Sequence, residues 1–456
     1  MPHQMPPERD VTVRGRRTSL YGLLTSYTIS LFGTRLTMIG LPWLVLVTTG
    51  SATQTGLVVF CEAVPLVVGK TLAGPLIDRM GSRPFSVLAD VVSAVVVGLV
   101  PLCYWLDVLP YGMLLALSAA IGLARGPGDV AKRTMTPEVA EEAGVPLERA
   151  SGLVGTLERL AGTAGPAAAG ALVAFLSPLW AMTANALCFL VSAVAVAVTG
   201  PRRGTRPGRA GRTADEEEPE SYAERLKAGI RFLRQDRLLR SIAVMLSVTN
   251  LVDAAYGSLL IPVWAKEAGG GPAAIGALGS VFGIAAVGGS ALATAFAHRL
   301  RRRPTYVIAF LIAGPPRFLV MAFDLPLWVV LAVGACDGLA IGFVNPILNA
   351  VMLERIPRPL LGRVSALTDS VGSAGVPLGP VLAGAAVTAA GLAPVLYACA
   401  GLYLVSTVVP AMRPHWRELD ARGSEDAGAE AEEEPAPPPA APGAPTAPET
   451  APRTSA

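Results

Sequence analysis

Residues 149–173 read RASGLVGTLERLAGTAGPAAAGALV, and residues 363–387 read RVSALTDSVGSAGVPLGPVLAGAAV. Set 214 positions apart, they share Arg149 with Arg363, Ser151 with Ser365, Leu153 with Leu367, and Val173 with Val387. They also share Gly165-Pro166 with Gly379-Pro380, and Ala169-Gly170 with Ala383-Gly384. A second pair of segments repeats at an offset of 220. There Leu72, Ala73, Arg79, Arg83, Pro84 and Val87 correspond to Leu292, Ala293, Arg299, Arg303, Pro304 and Val307. Helices rich in Gly and Ala share residues by chance, but matched Arg, Ser and Pro at nearly one offset point to a duplication. The chain is two related halves.

Each half is built for a bilayer. Of the 456 residues, 52 % are hydrophobic and only 16 % charged, and the mean hydropathy is +0.51. A soluble domain carries about a quarter charged residues. The 48 Gly and 39 Pro fit membrane helices, which tolerate both better than soluble helices do. A span needs about 20 mostly apolar residues to cross about 30 Å of hydrocarbon. Twelve windows qualify: 20–47, 55–77, 85–106, 110–125, 150–176, 179–199, 239–265, 272–297, 305–323, 327–352, 364–389 and 393–412. The fourth is the shortest, and it places Arg125 at its end.

The basic residues test that count. Arg9, Arg14, Arg16 and Arg17 precede the first span, and Arg79 and Arg83 lie between the second and third. Lys132, Arg133 and Arg149 lie between the fourth and fifth, Arg299, Arg301, Arg302 and Arg303 after the eighth, and Arg355, Arg358 and Arg363 after the tenth. The alternate loops hold a single basic residue, Lys266. By the positive-inside rule the span number is even and both termini are cytoplasmic. The expected organisation is a basic N-tail (1–19), a six-helix bundle (20–199), a cytoplasmic linker (200–238), a second bundle (239–413) and a disordered acidic, Pro/Ala-rich tail (414–456). Within the linker, Tyr222, Leu226, Ile230 and Leu233 recur at helical spacing among Arg and Lys, which predicts an amphipathic helix on the inner face.

Machinery for catalysis is missing from the pattern. Cys61, Cys103, Cys188, Cys336 and Cys399 all lie in apolar stretches at no metal or redox spacing and read as small buried hydrophobes. Of the three histidines, His3 and His415 lie in the tails and His298 at a span end, and no HExxH or GxSxG sits near a span centre. Gly69-Lys70-Thr71 resembles the end of a phosphate loop but is embedded in an apolar helix, with Val64 where the loop's first glycine would stand. A two-fold arrangement of six-span bundles is instead a transporter architecture, in which a central site opens to either side as one half rocks against the other.

Gly74-Pro75-Leu76-Ile77-Asp78-Arg79-Met80-Gly81-Ser82-Arg83, between the second and third spans, resembles the signature loop of the major facilitator superfamily. Ile77 stands in its small position and Ser82 in place of a basic residue. Gly165-Pro166 with Gly170 in the fifth span resembles the superfamily's antiporter motif, with Ala161 and Ala169 where that motif prefers Gly. Arg35-Leu36 through Leu41-Pro42, Glu62-Ala63-Val64-Pro65 and Leu226 through Leu239 resemble the macrolide-efflux-like branch of drug:proton antiporters. The arginine that many proton-coupled exporters carry midway along the fourth span is not evident in the window 110–125.

This resemblance implies an all-α membrane protein of twelve helices in two pseudo-symmetric bundles. Its expected function is proton-coupled efflux of amphiphilic drugs or secondary metabolites from the bacterial plasma membrane, without cofactor, metal or nucleic acid, as a monomer. Traffic of a sugar, siderophore or peptide, and a non-transporting sensor with the same fold, are the alternatives. The loop Gly74, Asp78, Arg79, Gly81 and Arg83 is expected to gate the cytoplasmic side, with Asp78 engaging the partner half in the outward-open state.

Charges inside spans are expensive, at least about 2.5–3.5 kcal/mol near a helix centre, so each needs a partner or a watery cavity. Counting from the turns, Arg35 and Glu62 lie at similar depth and could pair, as could Lys70 and Asp90. In this superfamily the first, fourth, seventh and tenth spans are expected to line the central cavity. Asp253 and Asp337, well inside the seventh and tenth, are candidates for exchanging a proton, against a structural pairing with Arg317. Gly152, Gly155, Gly165 and Gly170 would let another backbone approach the fifth span closely.

Overall fold

The computed structural model describes residues 9–200, 222–296, 300–357 and 360–420. The linker segment 201–221, Arg299, Arg358 and the tail beyond Asp420 lie outside the described residues, so the expectations for them stay expectations.

Among the described residues, twelve membrane-length helical segments run in order. In the first half they are Thr18–Thr49, Ala52–Met80, Ser82–Trp105, Tyr111–Ala143, Leu147–Phe175 and Pro178–Thr199. In the second they are Arg237–Glu267, Gly271–Phe296, Arg302–Ala322, Leu327–Arg355, Leu361–Ala390 and Leu392–Ala411. Ten of them are apolar enough by composition to cross a membrane on that ground alone. The fourth and fifth are long enough, at 33 and 29 residues, but carry charges along their length. On the fourth, Arg125, Asp129 and Lys132 find their partners on the second and third spans.

The fourth span corrects the sequence reading. It extends to Ala143, so Arg125 lies near its middle, and Lys132 and Arg133 are helical residues of the span rather than of a loop. The window ended early because the second half of this helix is charged, while its partners are distant in sequence and invisible to a hydropathy count.

Local chemistry sets the joints. Ser51 and Ser177 cap the second and sixth spans, accepting from the backbone N–H of Gln54 and Trp180. Asp236 caps the seventh, its Oδ1 accepting from the N–H groups of Leu238 and Leu239 at 2.9 Å each. Gly81 turns the second span into the third at φ +85°, a conformation that L side chains resist. The predicted amphipathic helix runs Tyr222–Gln235, with Leu233 buried. Downstream of the last span, Pro414–Asp420 continues as a 3₁₀ helix. Trp416 is buried there and donates Nε1–H to Ser241 Oγ at 2.9 Å, so Pro414–Asp420, expected in the tail, is ordered against the seventh span.

Two interruptions shape the second half. The seventh span changes to a π-helical turn over Tyr256–Leu260 before resuming at Ile261–Glu267. The ninth breaks at Gly314 ahead of Pro315-Pro316, and a Cβ on Gly314 would stand 2.0 Å from the Tyr403 ring. Pro at the first helical turn restarts the helix and sets Arg317 on its buried face. The core of this half gathers Tyr306, Phe310, Phe318, Tyr403 and Trp416, and that of the first half Leu41, Val97, Ile121, Met182 and Phe189. Outside, side chains such as Val194, Val198, Ile284 and Val405 are more than half exposed, as a lipid-facing surface requires.

Call the end of the bundle with the arginine-rich turns the basic end. The halves meet at the opposite end. Gly170 of the fifth span faces Gly276 of the eighth, and Gly384 of the eleventh faces Ala52 of the second. Thr53 donates to Gly384 O at 3.1 Å, and Lys266 Nζ to Leu46 O at 2.8 Å. Toward the basic end, Leu72 and Leu76 of the second span and Leu153 and Leu160 of the fifth are exposed. A Cβ on Gly152 or Gly155 would meet nothing within 4 Å. In this conformation, then, of Gly152, Gly155, Gly165 and Gly170 only the last two serve a close approach.

Candidate functional site

Between the halves lies a cavity of about 600 Å³. Its walls include residues of the first, fourth, seventh and tenth spans (Arg35, Arg125, Asp253 and Asp337) together with Glu62, Arg317 and Tyr403 from others. Most of the surface is apolar, from side chains such as Ile39, Val59, Leu66, Leu278, Phe282 and Ile341. A few convergent polar groups in an apolar cleft form the usual architecture of a small-molecule site.

The second half contributes an arginine shared by two carboxylates. Arg317 Nη1 donates to Asp337 Oδ2 at 3.2 Å, and its Nη2 donates to Asp253 Oδ1. The guanidinium also lies over three rings, 4.4 Å from the Tyr256 centroid, 4.9 Å from Phe318 and 5.4 Å from Tyr403. Arg317 and Asp337 are buried, whereas 36 % of the Asp253 side chain remains exposed to the cavity. Tyr256 belongs to the π-helical turn, a deviation that recurs at functional sites.

The first half shows the reverse ratio. Arg125 Nη1 donates to Glu62 Oε1 at 2.8 Å. The two helices can approach because Gly122 and Gly126 face the second span's backbone, where a Cβ would stand 2.0 Å from Glu62 O and 2.5 Å from Leu66 O. Among the described residues no carboxylate pairs with Arg35. Its Nη1 donates only to the Met38 sulfur at 3.6 Å, and its Nε is buried without a partner. The arginine stem passes across Gly165, whose Cβ would sit 2.7 Å from Arg35 Cγ. The glycine of the antiporter-like motif therefore makes room for Arg35, and Pro166 lines the cavity beside it.

The structure re-pairs the charges expected from depth. Arg35 and Glu62 line one cavity, but Glu62 is taken by Arg125. Asp90 accepts from Lys132 at 2.9 Å and from Ser192 at 2.6 Å, all three buried. Lys70 lies 3.8 Å from Asp129 instead. Both corrections have one cause, since the partners Arg125, Asp129 and Lys132 sit on the fourth span at or beyond the end of the window 110–125. Glu158 accepts from Arg133 at 2.7 Å and Tyr27 at 3.0 Å at the basic end, away from the cavity.

In the signature-like loop, Gly74 and Asp78 are exposed, and Asp78 has no hydrogen-bond or ion-pair partner among the described residues. Arg83 Nη2 donates to Ala197 O at 2.5 Å, tying the loop to the sixth span of its own half. Among the described residues no hydrogen bond or ion pair joins Asp78 to the other half here, where the halves part at the basic end. Arg125, Tyr256 and Tyr403 were missed as site residues by sequence reasoning. For Arg125 the lost signal is the length of the fourth span. For the tyrosines nothing local marks them, because the π turn and the Gly314 break appear only in the folded backbone. Among the described residues, no three His, Cys, Asp or Glu side chains gather as a metal site.

The sequence pattern of the Major Facilitator Superfamily matches residues 23–269 and 242–448. The chain belongs to the major facilitator superfamily. This superfamily member is 33 % identical over 407 residues to a protein of Mycobacterium tuberculosis named multidrug efflux pump Tap, covering 85 % of this chain and 91 % of that one. It is 30 % identical over 392 residues to the Mycolicibacterium fortuitum protein of the same name, covering 85 % and 94 %. Among solved structures, the nucleoside transporter NupG superposes with a TM-score of 0.67 at 13 % identity, over 86 % of this chain and 98 % of that one. A bacterial homologue of the lysosomal transporter Spinster, inward-facing and unoccupied, gives 0.60 at 14 % over 89 % and 97 %. At those identities the structures show the fold alone. As a superfamily member the chain is a multi-pass membrane transporter of small molecules and not an enzyme.

Proposed function

We propose that this transporter exports amphiphilic small molecules, drugs or secondary metabolites, in exchange for protons by alternating access. It would act as a monomer in the bacterial plasma membrane with both termini cytoplasmic. The observation that carries the reading is the shared Arg317: two carboxylates hold one guanidinium, and one of them, Asp253, faces the cavity. A proton on Asp253 would release Arg317 to Asp337 alone and leave the site neutral for the return stroke. Its loss to the other side would restore the anion. The kinship with mycobacterial multidrug efflux pumps supports export and the apolar lining supports amphiphiles.

With the termini cytoplasmic, the basic end is the inner end and the conformation is inward-facing. The parted halves, and an Asp78 without a partner among the described residues, agree with that, since the loop's contact with the opposite half would belong to the outward-open state. Gly74, Arg79, Gly81 and Arg83 shape that loop, and Arg35, Glu62, Asp253 and Asp337 are the substrate and proton candidates.

Inside-out vesicles from an overexpressing, efflux-deficient host test the reading. Uptake of an amphiphilic dye should require an imposed proton gradient and stop on its collapse, and Asp253→Asn should abolish the gradient dependence. Gradient-driven uptake by Asp253→Asn at the wild-type rate removes that residue from coupling. Labelling of cysteines placed at residue 210 and in the tail from opposite faces would overturn the topology.

A further inference from the structure

The charges around the cavity balance between the halves but not within either. On the first half's wall stand two arginines, Arg35 and Arg125, and one carboxylate, Glu62, which pairs with Arg125. On the second half's wall two carboxylates, Asp253 and Asp337, share one arginine, Arg317. Arg125 engages Glu62 at 2.8 Å and so leaves Arg35 as the surplus cation, with a thioether at 3.6 Å and an orphaned Nε. Asp337 is enclosed, with 4 % of its side chain exposed, which makes Asp253, at 36 %, the accessible surplus anion.

The two stand at related places in the duplicated architecture. Arg35 lies in the first span, seven residues before Pro42, and Asp253 in the seventh, nine residues before Pro262. The π turn Tyr256–Leu260 widens the helix by part of that difference. Opposite charges thus enter one cavity from corresponding spans of the two repeats, and no ion pair joins them.

A low-dielectric cleft favours a counter-charge for each unmatched group. A simple lipophilic cation would suit Asp253 but face Arg35 and Arg125 on the opposite wall. A simple anion would suit Arg35 and face the paired aspartates. We propose that the ligand of this cavity is a zwitterionic amphiphile, its anionic group on Arg35, its cationic group on Asp253 and its apolar body against Ile39, Leu278 and Phe282. Such a molecule engages one charged group from each half, so its occupancy is felt by both halves as they rock. The assignment rests on the cavity being the substrate site, and it adds the charge type that the site selects.

The test uses the full-length chain in lipid nanodiscs and two dyes at neutral pH. One is a rhodamine with a free carboxylate, a zwitterion; the other is its ethyl ester, which keeps the cation and the apolar rings. Fluorescence anisotropy should give a Kd at least about tenfold lower for the zwitterion, the scale of one charge-assisted contact. Arg35→Gln should weaken the zwitterion about tenfold and leave the ester unchanged or tighter. Arg35→Lys should keep the preference, which separates loss of charge from misfolding. Equal or tighter binding of the ester by wild type, or parallel weakening of both dyes by Arg35→Gln, overturns the zwitterion assignment and leaves the cavity reading standing. Binding of neither dye overturns both.

Discussion

Gly170 in the fifth span and Gly276 in the eighth pack backbone against backbone across the seam between the halves. A Cβ on Gly170 would stand 2.6 Å from the Gly276 Cα. This contact exists because neither residue has a side chain, and it closes the end of the cavity opposite the arginine-rich turns. Gly170→Leu should therefore wedge that end open. A cysteine placed at Ile39 in the cavity should become more accessible to a bulky impermeant thiol reagent from the periplasmic side, and transport should fall. Unchanged accessibility in a folded variant would mean that this seam does not hold the conformation.

Arg317 and Asp253 should differ sharply in their effect on stability. Removing the guanidinium in Arg317→Met leaves two carboxylates in an apolar site, and breaking a buried ion pair from one side costs about 3–5 kcal/mol. Asp253→Asn keeps the Asp337 pair and changes a group already partly exposed, so its effect should be much smaller. Thermal unfolding of the detergent-solubilised variants measures this, and an equal drop in Tm for both would contradict the shared-arginine geometry.

The Asp90–Lys132 pair sits within the first half and faces no cavity residue. Its side chains are each 3 % exposed, and Ser192 completes the carboxylate's hydrogen bonding. Asp90→Leu alone should destabilise by about 3–5 kcal/mol by leaving a buried ammonium. Adding Lys132→Met should recover most of that loss, since apolar replacements of a whole buried pair are often neutral. If the double variant transports at the wild-type rate, the pair is packing; loss of transport in a variant with recovered Tm would give it a part in the cycle.

Asp78 is exposed and without a partner among the described residues, so Asp78→Asn should leave the melting temperature unchanged within experimental error. Its effect should appear only in turnover, because the contact it is proposed to make forms in the opposite state. Wild-type uptake in inside-out vesicles by Asp78→Asn would dismiss the gating role.

The ninth span's break offers a separate test of the aromatic cage. Gly314→Val places atoms where the Tyr403 ring stands, 2.0 Å from the added Cβ. The ring must move off Arg317, and the variant should lose stability by about 1–3 kcal/mol, in the range for overpacking. Rescue of Tm by Tyr403→Ala in the same chain would confirm the clash, and its failure would place the damage elsewhere.

Much of the fold was legible along the chain. A bilayer demands about 20 apolar residues per crossing, and a duplication leaves matched Arg, Ser and Pro at one offset, so hydropathy and repeat together gave two halves of six spans. The loop from Gly74 to Arg83 and Gly165-Pro166 carried the family. Asp253 and Asp337 were also visible, because a carboxylate deep in an apolar window is costly and conspicuous.

Partnership was decided only by tertiary structure. Depth counting paired Arg35 with Glu62 and Lys70 with Asp90, yet the partners are Arg125, Asp129 and Lys132 on a helix whose charged half does not look like a span. A charged helix crosses a membrane when other helices surround it, and that enclosure is a property of the assembled bundle rather than of any window of residues. The same holds for Tyr256 and Tyr403, brought to Arg317 by a π turn and a glycine break. The sequence by itself determined which charges must be hidden; packing determined what each one faces, because ion pairing acts over a few ångströms between helices that the chain order keeps far apart.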